Sequence, residues 1–215
     1  MFFIGDIHGQ FETYFNLIGN KIPDGERNCI QVGDHGIFSD YDITNKQELH
    51  EHYIKSRKVI SKDLNLHFIR GNHDNPELCV KDLNYLGDYG YIPNWNMLFI
   101  SGAWSIDWMY RTSRVDWWAE EELSCEQLEK ALALAEKYKP KYIVTHDCPG
   151  SMYKELLGYY AIQPTRTAHY FNLIKAAVKP SIWIFGHHHQ EVDVRIGHTR
   201  WVCCDINQFK DINKI

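Results

Sequence analysis

Asp6 and His8 stand two apart in the opening stretch Phe2–Gly9, which reads Phe-Phe-Ile-Gly-Asp-Ile-His-Gly. Its three apolar residues predict a short buried strand, and Gly5 and Gly9 bracket two groups able to hold a metal ion. In extended chain, residues two apart point the same way, so both side chains reach one spot just past the strand end. Four further stretches share this grammar of an apolar run, then Gly or Thr, then Asp, Asn or His. They are Gly33-Asp34, Gly71-Asn72-His73-Asp74, Thr145-His146-Asp147 and Gly186-His187-His188-His189. Any one of them also suits an ordinary turn or a solvated loop. Five in one chain, all at predicted strand ends, argue for one constellation, because ligands of open α/β sheets bind beyond the carboxyl ends of strands.

The donor types indicate the chemistry. His, Asp and Asn without thiolate suit borderline divalent ions, with manganese first and iron, nickel, cobalt or zinc as alternatives. Asp6, His8, Asp34, Asn72, His146, His187 and His189 are more donors than one ion with an open position needs. They suit two ions sharing a carboxylate. Such ions, roughly 3.5–4 Å apart, activate a water and clamp the attacking and leaving oxygens of a phosphoryl centre.

The elements that must carry these residues are legible as alternating strands and helices, which favours an α/β domain. Phe11, Tyr14, Phe15 and Ile18 recur at helical spacing after the first strand. Strands are predicted over Cys29–Val32, Leu66–Ile69, Met97–Ser101, Tyr142–Val144 and Ile182–Phe185, and a short helix after Pro76. Pro23-Asp24-Gly25 reads as a turn. Thr44 with Gln47, and Ser124 with Gln127, read as capping boxes opening helices, the first running to about Leu64 and the second halted by Pro140. A further helix is capped by Thr165 and stopped before Pro180. Val192–Ile196 and Arg200–Cys204 predict a hairpin, so not every strand is parallel, and the polar tail after Asp205 is expected to fray.

With 215 residues, 44% hydrophobic and 24% charged, the chain can build one sizeable domain, expected over 1–215. A formal net charge of −5 argues against gripping duplex nucleic acid by counterion release. Bound divalent ions would still make the site locally positive, so a nuclease stays open as a less favoured reading. The six cysteines form no Cys-x-x-Cys pair, which predicts buried thiols in a reduced, cytoplasmic protein. Cys203 and Cys204, adjacent on a predicted strand, should face opposite ways. No run is long enough to span a bilayer, and no membrane partner is expected.

The five motifs, in this order and spanning nearly the whole chain, resemble those of the calcineurin-like metallophosphoesterases, in particular small bacterial or phage-type members. The resemblance implies a four-layer α-β-β-α sandwich of two mixed sheets flanked by helices. It implies that Asp6, His8 and His189 hold one metal, that Asn72, His146 and His187 hold the second, and that Asp34 bridges them. His73 would not bind metal; it would contact the phosphate and act as general acid on the leaving oxygen. His188, between two ligands, would point away and pack. Many relatives follow Gly-Asp with an Asp three residues on and then an Arg; here those positions are Ile37 and Phe38. Asp74 or Asp40 is the candidate substitute for that Asp.

The expected function is hydrolysis of a phosphate ester, with a phosphodiesterase for small or cyclic nucleotides as the leading reading. The alternative is a phosphomonoesterase, including a protein Ser/Thr phosphatase. A non-catalytic interaction protein on the same fold is disfavoured, since all seven ligands and His73 are present. The nucleotide reading rests on Trp104–Trp118, which interleaves Trp104, Trp108, Tyr110, Arg111, Arg114, Trp117 and Trp118. Aromatics at such spacings also suit a core, but the interleaved Arg, Ser and Thr do not. On the rim of the site, rings could stack a base, and Arg111, Arg114 or Arg166 could lie near phosphates. The expected partner is a small phosphate ester.

Overall fold

The computed structural model describes residues 1–22, 28–37 and 65–212. Two sheets carry the fold. The first has the order β10-β1-β2-β3, from Phe209–Asp211, Phe2–Ile4, Asn28–Gln31 and Asn65–Phe68. The second has the order β4-β5-β6-β7-β9-β8, from Tyr89–Ile92, Met97–Ile100, Tyr142–Thr145, Ile182–Phe185, Thr199–Cys203 and Val192–Ile196. Strands β1, β2 and β3 are parallel, as are β5, β6, β7 and β9. Strands β10, β4 and β8 add antiparallel edges.

The layering follows from side-chain alternation. Phe3 and Ile30 pack with Met97, Phe99, Val144, Ile184, Val202 and Cys204 in a core between the sheets. Their neighbours Phe2, Ile4 and Cys29 face the other way, onto helix α1 (Phe11–Lys21), through Phe11, Tyr14, Phe15 and Ile18. On the second sheet Leu98, Ile100, Ile143, Trp183, Trp201 and Cys203 face outward. They bury Leu128, Ala131 and Ala135 of α3 (Cys125–Tyr138) and Phe171 and Ile174 of α5 (Arg166–Ala177). Helix, sheet, sheet and helices therefore stack as four layers, and these strands are apolar on both faces, as strands covered on both sides must be. Cys203 and Cys204 fall in opposite cores, as alternation requires.

The caps behave as their chemistry predicts. Ser124 and Gln127 close a reciprocal capping box, and the Thr165 hydroxyl accepts from the Ala168 amide at 3.0 Å. Helix α2 (Pro76–Cys79) follows β3, and α4 (Tyr153–Leu157) follows β6. The turn at Pro23-Asp24-Gly25 and the helix from Thr44 to about Leu64 lie outside the described residues, as do Phe38 and Asp40.

Two strands escape the sequence patterns. Strand β4 is half-buried along its length and carries Gly90 against the Phe99 ring, so it shows no clean alternation. The tail does not fray through residue 211. Phe209 stacks on Phe2 at 4.9 Å, and β10 pairs with β1. The polar composition that reads as a loose tail is that of an edge strand, with Lys210 paired to Glu191 at 2.6 Å.

Candidate metal centre

All five motifs converge where they leave the carboxyl ends of β1, β2, β3, β6 and β7. Asp6 Oδ2 lies 3.1 Å from His189 Nε2, and His189 Nε2 lies 3.1 Å from His8 Nε2. His8 Nε2 is 4.0 Å from Asp6 and 3.9 Å from Asp34 Oδ2. Asp6, His8, Asp34 and His189 thus offer ligand atoms all within 4.8 Å of one another. The other side of Asp34 faces a second group. Its Oδ1 is 3.4 Å from His146 Nε2, which is 3.2 Å from Asn72 Oδ1, and the His187 ring stands 5.0 Å from that of His146. Asp34 therefore sits between the two groups, one oxygen toward each.

Local backbone makes this convergence sterically feasible. His8, Asp34, His187 and His189 all adopt positive φ, at 44°, 54°, 67° and 49°. For residues with a Cβ this conformation costs roughly 1–2 kcal/mol each, and such strain collects at functional sites. A Cβ at Gly71 would strike the Asp34 carboxylate, and one at Gly186 would strike that of Asp6. Those glycines let backbone approach the carboxylates closely. The C-terminal segment closes the first group from below: the Asn207 amide donates to the Asp6 carbonyl at 2.8 Å, and Gly5 donates to the Gln208 carbonyl at 2.9 Å.

The donors fit a cation. Asp6 Oδ2 and Asp34 Oδ2 are buried and accept no hydrogen bond. Burial opposes ionisation of Asp34, yet His146, His73 and His8 hold its carboxyl well below the usual carboxylate range. Burial likewise disfavours the His146 cation, but Asp34 overrides it and raises that imidazole to about 10. A site that pulls a proton onto a buried ring has negative charge to spare for a metal. The His146 Nδ1 lies 2.8 Å from the Val32 carbonyl, to which it can only donate, so Nε2 is the atom turned to the site. His187 is pushed down to about 3, first by burial and then by His188, which leaves its ring neutral and its lone pair available.

The catalytic candidate His73 stands beside this centre. Its amide donates to Asp34 Oδ1 at 2.8 Å, and its Nε2 is 3.9 Å from Asp34 Oδ2. Arg111 meets the same ring, with Nη2 at 2.8 Å from Nε2 and Nη1 at 3.0 Å from Nδ1. Arg111 is in turn clamped by Asp107, at 2.8 Å and 2.9 Å. Asp74 does not orient His73. It accepts from the amides of His35, Gly36, Ile37 and Gly71 and so ties two site loops together. Ile37 instead packs with Phe68 and Cys79.

Of the rim candidates, Tyr110 is 87% exposed and Trp108 is exposed, while Trp104 is half-buried and Trp118 is core. Most of these rings therefore lie outside the core, and Arg111 is the residue of the segment that meets His73. Arg114 pairs with Glu77 at 3.2 Å, and Arg166 with Glu122 at 3.8 Å. His188 packs as expected and is also bonded: its Nε2 lies 2.8 Å from Asp147, and its Nδ1 2.6 Å from the Tyr159 hydroxyl. Three residues that no local spacing reveals also serve the site. They are Asp107 behind Arg111, and Ser105 and Glu121 behind Asn72.

The family model for calcineurin-like phosphoesterases matches residues 1–191. The chain belongs to that family. This chain is a metal-dependent phosphoester hydrolase. A dimetal phosphatase from Danio rerio shares the fold, with a TM-score of 0.57 at 10% identity over 97% of this chain and 88% of its own. A chain assigned as a 5′-nucleotidase from Staphylococcus aureus superposes with a TM-score of 0.52 at 13% identity, over 96% of this phosphoesterase and 48% of its own length. Among curated proteins, none matches this chain. No helix among its described residues is long and apolar enough to cross a membrane.

Proposed function

We propose that this phosphoesterase is a dinuclear phosphodiesterase for small nucleotides, cyclic or dinucleotide. Asp6, His8 and His189 would hold one divalent ion, and Asn72, His146 and His187 the other, with Asp34 shared. Manganese is the first candidate, ahead of iron, nickel, cobalt or zinc. When bound, such a pair supplies Lewis-acid polarisation of the phosphoryl oxygens and an activated water.

The observation that carries the substrate class is Arg111. It comes from an aromatic rim, is clamped by Asp107, and reaches His73 at 2.8 Å. A guanidinium beside the catalytic candidate can pair with phosphate oxygens, replacing the Arg that relatives carry where this chain has Phe38. Trp108 and Tyr110, exposed and within three residues of Arg111 in sequence, can stack a base. Burial, then Arg111, His8 and His146, hold the His73 imidazole below its ordinary value, against the pull of Asp34. A phosphate paired with Arg111 beside His73 would supply the negative charge that lets His73 carry a proton to the leaving oxygen. Six free thiols, five of them buried, support a reducing, cytoplasmic setting.

The test is turnover by manganese-loaded protein on matched esters: nitrophenyl phosphate, bis-nitrophenyl phosphate, a cyclic mononucleotide, a dinucleotide and a phosphoserine peptide. The reading expects the nucleotide diesters to be cleaved with the highest kcat/KM. A monoester or the phosphopeptide cleaved best would replace it with a phosphomonoesterase.

A further inference from the structure

Asn72 can serve a metal only through its amide oxygen, since its NH₂ has no lone pair to give. Something must decide which end of the amide faces the site. The neighbours supply a directional chain. Asn72 Nδ2 donates to Ser105 Oγ at 3.0 Å, and Ser105 Oγ donates to Glu121 Oε2 at 2.5 Å. The other carboxylate oxygen, Oε1, accepts from the Ser105 amide at 2.8 Å. All three residues are at most 2% exposed. Glu121 is itself held: its carbonyl accepts from Arg70 Nη1 at 2.9 Å, and it lies where a Cβ on Gly102 would fall.

We infer that Glu121, acting through Ser105, is the positioning residue that turns the Asn72 amide oxygen into the second metal locus. A carboxylate can only accept. It takes the single Ser105 hydroxyl proton and leaves the Ser105 lone pairs to receive Asn72 Nδ2. Asn72 Oδ1 is thereby committed to the site, 3.2 Å from His146 Nε2. Outer groups of this kind orient ligands, and their loss typically costs about 10–100-fold in metal affinity.

The polarity makes an unusual test available. In Glu121→Gln the Ser105 amide still demands an acceptor, so the Gln oxygen takes the place of Oε1. The Gln NH₂ then faces Ser105 Oγ and donates to it. The serine proton then loses its acceptor, and it regains one at Asn72 only if that side chain swings its oxygen out of the site. A nearly isosteric change thus reverses the chain. Ser105→Ala removes the chain and imposes neither direction.

The inference rests on the reading of Asn72 as a metal ligand, so calorimetric titration of manganese into chelator-stripped protein is the measurement, with thermal melts to verify folding. Glu121→Gln should weaken one of two binding events by about 10–100-fold and leave the other unchanged. Ser105→Ala should weaken it less, and Ser105→Ala/Glu121→Gln should match Ser105→Ala alone, a non-additivity that a packing defect would not show. Wild-type affinities in Glu121→Gln, or a double variant as weak as the sum of its parts, overturn the relay. If Glu121→Gln does not fold, unchanged manganese affinity in Ser105→Ala overturns it instead. Asn72→Ala separates the two levels. If it keeps both binding events, the ligand reading itself fails; if it loses one while Glu121→Gln keeps both, only the relay fails.

Discussion

The two halves of the centre are held by different means. The Asp6, His8 and His189 side is open, with the His8 and His189 side chains 23% and 43% exposed. Its geometry comes from backbone: positive φ at His8 and His189, close approach at Gly186, and the amides of His187 and Asn207 on the oxygens of Asp6. On the other side Asn72 and His146 are buried; His187 there also has positive φ, but the orientation of those two comes from side-chain polarity. The Val32 carbonyl chooses the His146 tautomer, and Ser105 and Glu121 choose the end of Asn72. A water-exposed ligand needs only a place to stand. A buried one also needs every polar atom assigned, because an unpaired donor there costs about 1–3 kcal/mol.

Four changes probe this contrast. The largest effect is expected from Asp34→Asn, since Asp34 turns one oxygen to each half. Turnover should be abolished and both manganese-binding events weakened in calorimetry; loss of one event only would mean that the halves do not share it. His73→Ala should spare both halves. Its manganese stoichiometry should match wild type while the rate falls by roughly 10²–10⁴-fold, less for a nitrophenol leaving group. A lost ion would make His73 a ligand.

Asp147 latches the buried half to the open one, because it follows His146 and holds His188 between His187 and His189. Burial pushes its carboxyl up, but the hydrogen bond and charge of His188, then His187 and Tyr153, pull it down to about 2. A depressed carboxylate stabilises the fold above its unfolded value of 3.8, and that stability is lost as pH falls toward about 2. Asp147→Asn should remove on the order of 2 kcal/mol of acid-dependent stability, read by urea melts between pH 4 and pH 2. An unchanged pH slope would show that the latch carries no ionic contribution. The smallest effect is expected on the rim. Tyr110→Ala should raise KM for nucleotides by roughly fivefold to tenfold, the low end of the about 1–3 kcal/mol per stacked base, while sparing bis-nitrophenyl phosphate. Equal losses on both substrates would remove the stacking role.

The fold was legible wherever local pattern and environment agree. Both-face apolar runs marked β2, β3, β5, β6 and β7, and caps marked α3 and α5. Strand β10 was illegible because Phe209–Asp211 gains its order from pairing with β1, about two hundred residues away in sequence. Strand β4 was illegible because an edge strand with a central glycine carries no periodic signal.

For the site, the sequence by itself determined which candidate ligands come together. Asp6, His8, Asp34, Asn72, His146, His187 and His189 each follow a buried parallel strand, and parallel strands deliver their carboxyl ends to one side of a sheet. Spacing within a motif is local, so a strand end and the residue types after it suffice to read it. Tertiary structure decided which groups orient those ligands. Arg111 meets His73, Asp74 spends its oxygens on the amides of residues 35–37 and 71, and Glu121 reaches Asn72 through Ser105. These partners come from loops far apart in the chain. Their hydrogen bonds depend on donor and acceptor geometry within about 3 Å, which no spacing along the chain encodes.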